Sequence, residues 1–310
     1  LQKVTIGIIG GGFVGAAISR VFMHYTDVRV YDIDPTRRTH DLAQVCEQDV
    51  IFVCLPTPMR PDGTVDDTIV DDALYQIEAN LSSWKPVIVK STIPPESLID
   101  LSERYGDLIY LVFSPEFLTE RTAELDLQQS TRFIFGASRM AHEAEKKCHP
   151  REFVELLFEQ RFPKVPQYWT SYATASLVKY FTNVFFATKI ALMNEFHAVA
   201  ENWHQSGKYV IDLMLLDARI GRSHDRVPGH DGQLGFGGHC FIKDLHGYLH
   251  VARDVGVDPL LGRAAWQTNV IYRGAEELAQ ELTRMVGRAA SEPMTPEGVK
   301  ALADAGNQEK

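Results

Sequence analysis

The chain begins with apolar positions at Val4, Ile6, Ile8 and Ile9, which predict a strand. It then runs through Gly10, Gly12 and Gly15 while Val14, Ala17, Ile18, Val21 and Phe22 recur at helical spacing. A second strand is predicted at Val28–Tyr31, and apolar runs bounded by turn residues predict others at 49–54, 87–90, 108–113 and 132–135. A helical stretch over 69–81 separates two of them. From Thr174 the pattern changes: residues 174–204 place apolar side chains around most of a helix, as a buried interface requires, and a later helix is predicted over 260–286. After Gly287 the chain is polar with weak periodicity and is expected to be largely without order. The succession predicts an α/β protein: a Rossmann-type doubly wound sheet over 1–170, an all-helical central domain over 171–288 and a polar tail over 289–310.

A strand that opens into a helix through GxGxxG gives each glycine a task. Gly10 allows the tight turn, Gly12 lets backbone approach a pyrophosphate, and Gly15 lets helix and sheet pack closely, with the helix amino terminus facing the anion. Asp32 ends the second strand, 20 residues beyond Gly12, at the ribose-binding position. A carboxylate there accepts the ribose hydroxyls of NAD and repels a 2′-phosphate; Arg37 and Arg38, close behind, pull the other way. Asp34 reads as a helix cap or a solvated side chain.

The later strands end in polar, proline-bearing loops, CLPTP from Cys54, KSTIPPES from Lys90 and SPEFLTER from Ser114, which this fold gathers on one edge. Thr57 and Thr92 offer hydroxyls to a nicotinamide or an ordered water. Glu116 and Glu120 offer carboxylates four residues apart, on one face if that segment is helical.

Composition narrows the chemistry. At 310 residues and 45% hydrophobic content the chain can bury one large or two medium cores, and its formal charge of −10 argues against a broad nucleic-acid surface. No apolar run reaches the length of a membrane span and the amino terminus lacks a signal-peptide pattern, so a cytoplasmic location is expected. Cys46, Cys54, Cys148 and Cys240 form no CxxC pair, and His224, His230 and His239 lack metal-site spacing, so neither a disulfide framework nor a metal site is expected.

The run GFGGHCFIKD sets Cys240 behind Gly235, Gly237 and Gly238 and ahead of Lys243 and Asp244. Two readings fit. One is a nucleophile on a turn, with thin backbone for substrate approach and polar partners within reach; the other is a small buried cysteine beside a tight bend. Lys179 and Asn183 interrupt the apolar central helix four residues apart, on one face. They read either as a paired or catalytic buried lysine with its amide neighbour, or as a snorkelling lysine and an exposed asparagine.

Taken in order, the GxGxxG turn with Asp32, CLPTP, STIPP, PEFLTE, KYFTNVFFATKIALMNE, ARIG and GFGGHCF resemble the UDP-glucose/GDP-mannose dehydrogenase family over residues 3–269, most closely its UDP-glucose-oxidising type. The resemblance implies a four-electron oxidation of a nucleotide sugar at C6 to a uronic acid, with NAD taking both hydrides. In it Cys240 forms a thiohemiacetal and then a thioester, Lys179 and Asn183 stabilise the oxyanion, Asp244 positions water or a proton, and Thr92 holds a water. Glu116 or Glu120 is the base or orients the nicotinamide. Gly10, Gly12, Phe13, Val14, Gly15, Asp32, Thr57, Thr92 and Lys243 would contact the cofactor. Phe117, Leu118, Lys179, Asn183, Arg219, Phe236 and Gly237 would contact the sugar nucleotide, with Arg219 reaching across a homodimer built on the central helices.

The resemblance also leads one to expect a third, nucleotide-gripping domain, beginning where this chain stops. That departure keeps open a non-catalytic subunit that binds NAD or a nucleotide sugar and needs a partner. A two-electron β-hydroxyacid-type dehydrogenase is a further alternative, since such enzymes need no cysteine. Ile242 stands where the family commonly has proline.

Overall fold

The computed structural model describes residues 3–137, 150–286 and 294–304. They form two compact units, residues 1–57 with 67–179, and residues 58–66 with 180–310.

The first unit carries β1 (Ile6–Ile9), α1 (Phe13–Phe22), β2 (Val28–Tyr31), α2 (Leu42–Cys46), β3 (Val50–Val53), α3 (Thr68–Asn80), β4 (Lys85–Val89), α4 (Pro95–Arg104) and β5 (Ile109–Phe113). After a 3₁₀ turn at Glu120–Thr122 come α5 (Ala123–Gln128), β6 (Phe133–Gly136), α6 (Pro150–Arg161), β7 (Gln167–Thr170) and the start of the long α7 (Tyr172–Asn202). The strand order is β2-β1-β3-β4-β5-β6-β7, parallel from β2 through β5; β6 meets β5 antiparallel and β7 pairs parallel with β6. β1, β3 and β5 are buried along their whole length, which is why they read as continuous apolar runs. Helices cover both faces: Val70, Leu74, Leu98 and Leu101 pack on one, and Phe22, Val154 and Phe158 on the other. This is the Rossmann-type sheet expected of the first half.

Local chemistry places several helix starts. Asp41 and Gln44 close a capping box on α2, and Pro95 opens α4 where no amide is needed. β7 escaped the sequence reading, because Gln167–Thr170 is short and half-exposed and shows no clear alternation.

The second unit contains the remainder of α7 with α8 (Gly207–Met214), α9 (His239–Asp254), α10 (Leu260–Arg273), α11 (Ala275–Val286) and α12 (Pro296–Asp304). The single helix expected over 260–286 is two. Gly274 adopts φ +89°, which leaves helical space and ends α10 before α11 starts. The tail, expected to lack order, carries α12, whose Val299 is buried in the unit's core with Met59, Phe236, Ile242, Trp266 and Leu282. The rest of the tail lies outside the described residues.

Candidate active site

Gly10 adopts φ +96°, and a Cβ there would lie 2.4 Å from the Cys54 carbonyl oxygen; one on Gly15 would lie 1.9 Å from the Gly10 carbonyl oxygen. The protein's own packing requires both. Gly12 differs: a Cβ would meet nothing within 4 Å, and no side chain caps α1. The first turn of α1 therefore has uncapped amides beside an open approach at Gly12, the cradle an anion needs. Asp32 is fixed beside it, Oδ2 accepting from Gly11 N at 2.7 Å and Oδ1 from Asp34 N at 2.8 Å. Asp34 builds the following turn by accepting from Thr36 N and Oγ1. These hydrogen bonds hold the Asp34 carboxyl below the usual carboxylate range. Phe13 is exposed at the start of α1 and Val14 is half-buried behind it. The set fits a dinucleotide, with backbone for the pyrophosphate and a carboxylate for the ribose.

The three proline-bearing loops follow adjacent parallel strands and are tied together. Thr57 Oγ1 donates to Thr92 O at 3.0 Å, and Ser91 Oγ donates to Leu55 O at 2.6 Å while accepting from Leu55 N. Lys90 Nζ donates to Ser114 Oγ at 3.1 Å, linking the second loop to the third. From α7, Lys179 Nζ reaches the same loop, donating to Glu116 O at 2.7 Å and to Glu116 Oε1 at 3.0 Å, with both residues buried. Leu118 N donates to Oε2 at 2.6 Å. Lys179 is thus a paired buried lysine, not a snorkelling one.

Glu116 and Glu120 do not share a helical face. No helix forms over 114–119, and the chain turns only at Glu120–Thr122, which leaves Glu120 exposed and Glu116 buried. Phe117 carries Arg132 over its ring at 4.7 Å and Lys179 Nζ at 5.6 Å. Beside it lies a cavity of about 330 Å³ lined by Lys90, Glu116, Phe117, Leu118, Arg132 and Phe158, among others.

In the second unit Cys240 is exposed in the first turn of α9, behind Gly238 at φ +81°. One turn further, Asp244 is 1% exposed, with Oδ2 accepting from Asn183 Nδ2 at 2.5 Å and Oδ1 from Lys243 Nζ at 2.6 Å. Cys240 is therefore not a small buried cysteine, and Asn183 is buried rather than exposed.

The glycines ahead of Cys240 have a use that the sequence did not reveal. A Cβ on Gly235 would lie 2.3 Å from Asn269 Oδ1, and one on Gly237 would lie 2.2 Å from an Arg273 guanidinium nitrogen, so both allow close packing against α10. Asn194 Oδ1 accepts from Gly235 N at 2.9 Å, and Asn269 makes two hydrogen bonds to the Phe236 backbone at 2.7 and 2.9 Å. Arg273 pairs with Asp231 at 2.8 Å and with Glu281. The sequence reading missed Lys90, Asn194, Asn269 and Arg273; the one available sign was a polar residue on an otherwise apolar strand or helix face. Arg219 is 89% exposed and paired with Asp217. Among the described residues no group of three or more His, Cys, Asp or Glu is arranged to hold a metal, and no helix is long and apolar enough to cross a membrane.

A sheet parallel from β2 through β5, with an open glycine turn at β1 and a fixed carboxylate at the end of β2, is the dinucleotide-binding architecture of NAD-dependent dehydrogenases. The chain belongs to the UDP-glucose/GDP-mannose dehydrogenase family, whose NAD binding domain matches residues 36–154 and whose central domain matches residues 173–270. It is 28% identical to the UDP-glucose 6-dehydrogenase AglM of Haloferax volcanii, over 86% of this chain and 69% of that protein. It is 30% identical to the UDP-glucose 6-dehydrogenase TuaD of Bacillus subtilis, over 74% of this chain and 48% of that protein, so it spans about half the length of that relative. The solved UDP-glucose dehydrogenase of Pyrobaculum islandicum superposes with a TM-score of 0.75 at 25% identity, covering 90% of this chain and 71% of that one.

Proposed function

We propose that this chain carries the chemistry of a nucleotide-sugar 6-dehydrogenase, with UDP-glucose the first substrate to test and a uronic acid as product. The observation that carries the reading is Cys240, exposed at the amino terminus of α9 one turn ahead of an Asp244 fixed by Asn183 and Lys243. A helix amino terminus is a favourable place for a nucleophilic thiol.

When bound, NAD would supply the hydride acceptor for each of two oxidations; the turn at 10–15 and Asp32 would hold it, and Thr57 and Thr92 would offer hydroxyls to its nicotinamide. The Cys240 sulfur adds to the C6 aldehyde, forming the C–S bond of a thiohemiacetal, and after the second oxidation water cleaves the thioester and returns the thiol. Lys179 and Asn183 supply cationic and amide donors to the oxyanion at C6. Asp244 positions the hydrolytic water, and Glu116, with lone pairs left beyond Lys179 and Leu118, orients the group that loses its proton. Glu120, exposed in its 3₁₀ turn, is the weaker candidate for that role. Phe117, Leu118, Phe236, Gly237 and Arg219 complete the proposed substrate contacts.

A homodimer fits the second unit's exposed apolar face, a groove lined by Phe196, Val199, Trp203, Val210, Ile211 and Met214 in which Trp203 is 76% exposed. Trp203→Glu is expected to yield monomers in sedimentation.

The deciding experiment incubates the protein with NAD and UDP-glucose, then with GDP-mannose, and counts NADH per sugar consumed. Two NADH per sugar, abolished in Cys240→Ala while NAD still binds, is the expected result. One NADH per sugar, or turnover retained without Cys240, overturns the reading.

A further inference from the structure

Lys90 has no part in the roles above. It follows the last residue of β4 and is buried, its Nζ donating to Ser114 Oγ at 3.1 Å and to Pro115 O at 3.5 Å. A buried ammonium persists only among polar partners and opposite charge. Here the partners belong to the turn that delivers Glu116, and Lys179 grips that same residue through its carbonyl and its carboxylate. One carboxylate therefore stands within Coulombic reach of two buried lysines. Among the described residues the other titratable group facing Lys90 is the Cys54 thiol, which burial pushes up to about 12.

Burial brings the Lys90 ammonium down to about 8; Cys54 and Glu116 act against that fall and Lys179 adds to it. Repulsion between two ammoniums is mutual, so a charge on Lys90 also disfavours one on Lys179.

We propose that Lys90 is a positioning residue for the reaction, clamping the Ser114–Glu116 turn and repelling the Lys179 ammonium that the same turn holds. The proposal rests on the functional reading above, in which Lys179 acts at the oxyanion.

The test compares Lys90→Met, Lys90→Gln and Lys90→Arg. Lys90→Met should lower kcat about tenfold or more with the Kd for NAD within about twofold, since a small misplacement at a reacting centre is expensive in rate. Lys90→Arg, which keeps donors toward the Ser114–Glu116 turn, should retain more activity than Lys90→Met. In both neutral variants the limb of the pH–rate profile that reports Lys179 should move to higher pH, because the repulsion is gone. Lys90→Gln keeps a donor toward Ser114, so it reads the charge alone if Lys90→Met fails to fold.

A second readout needs no turnover: in spectra of protein labelled with ¹³C at the lysine ε-carbons, Lys179 should titrate at higher pH in the neutral variants than in the wild type. An unshifted Lys179 titration overturns the proposal, as does a lower kcat with a superimposable pH profile, the mark of a merely structural lysine. If the wild-type chain oxidises no nucleotide sugar, the functional reading fails while the Lys179 titration still decides the role of Lys90.

Discussion

Asn183 on α7 donates its side-chain amide to Asp244 on α9 at 2.5 Å, and Lys243 holds the other carboxylate oxygen at 2.6 Å. The buried carboxylate thus fixes which end of the Asn183 amide faces it and leaves that amide a second N–H to offer. Asp244→Ala removes the acceptor from both donors and should cost about 3 kcal/mol of stability. Turnover should fall about a hundredfold or more. Urea unfolding and kcat measured together check this; unchanged unfolding with normal kcat would refute it.

The glycines of the first turn should separate folding from cofactor binding. Gly15→Ala drives a Cβ into the Gly10 carbonyl oxygen and should destabilise the first unit, whereas Gly12→Ala meets nothing within 4 Å and should fold normally. NAD affinity should nevertheless fall in Gly12→Ala, by about tenfold or more, because the methyl occupies the anion's approach. Thermal melting with and without NAD distinguishes the two variants.

His246 makes stability sensitive to acid. Burial, assisted by His250 and Arg253, holds its pKa down to about 3, and its ring meets Trp266 edge-on with centroids 4.6 Å apart. An unfolded histidine takes up its proton near pH 6.5, so between that value and the folded one the unfolded chain holds the extra proton. Stability is therefore lost as pH falls through this window, at up to about 1.4 kcal/mol per unit from this group. His246→Phe keeps the aromatic contact and should flatten the decline; an equally steep decline in the variant would show that other groups cause it.

Asn269 holds both polar groups of the Phe236 backbone, in the run that leads to Cys240. Asn269→Ala leaves a buried amide and carbonyl unpaired and should cost about 2–4 kcal/mol. Alkylation of Cys240 by iodoacetamide should also change in rate as the turn loosens. Alkylation and melting identical to wild type would show that Asn194 and Arg273 suffice to hold the run.

Five strands, β1 and β3 to β6, were legible because burial wrote apolar runs into the sequence, and the half-buried edge strand β2 was legible from the alternation Val28-Arg29-Val30-Tyr31. β7 was not, since Gln167–Thr170 is half-exposed and carries no such run. The break at Gly274 was hidden because the apolar spacing continues across it, and only the backbone angle marks the stop. At the site, spacing placed Lys179 and Asn183 on one face of α7 but could not supply their partners, Glu116 and Asp244, each 61 or more residues away in sequence. Equal spacing misled at Glu116 and Glu120, where an irregular loop that includes Pro115 replaces the helix that would have aligned them. The glycines before Cys240 spoke of thin backbone without saying what comes close, and two of them turn out to admit Asn269 and Arg273.

Asp32 carries a lesson for redesign. Both its oxygens already brace the loop, one through Gly11 N and the other through Asp34 N. A substitution meant to admit a phosphorylated ribose would therefore also unfasten the bend that shapes the pyrophosphate seat. Switching cofactor preference in this chain would require replacement braces for Gly11 and Asp34 along with the new charge.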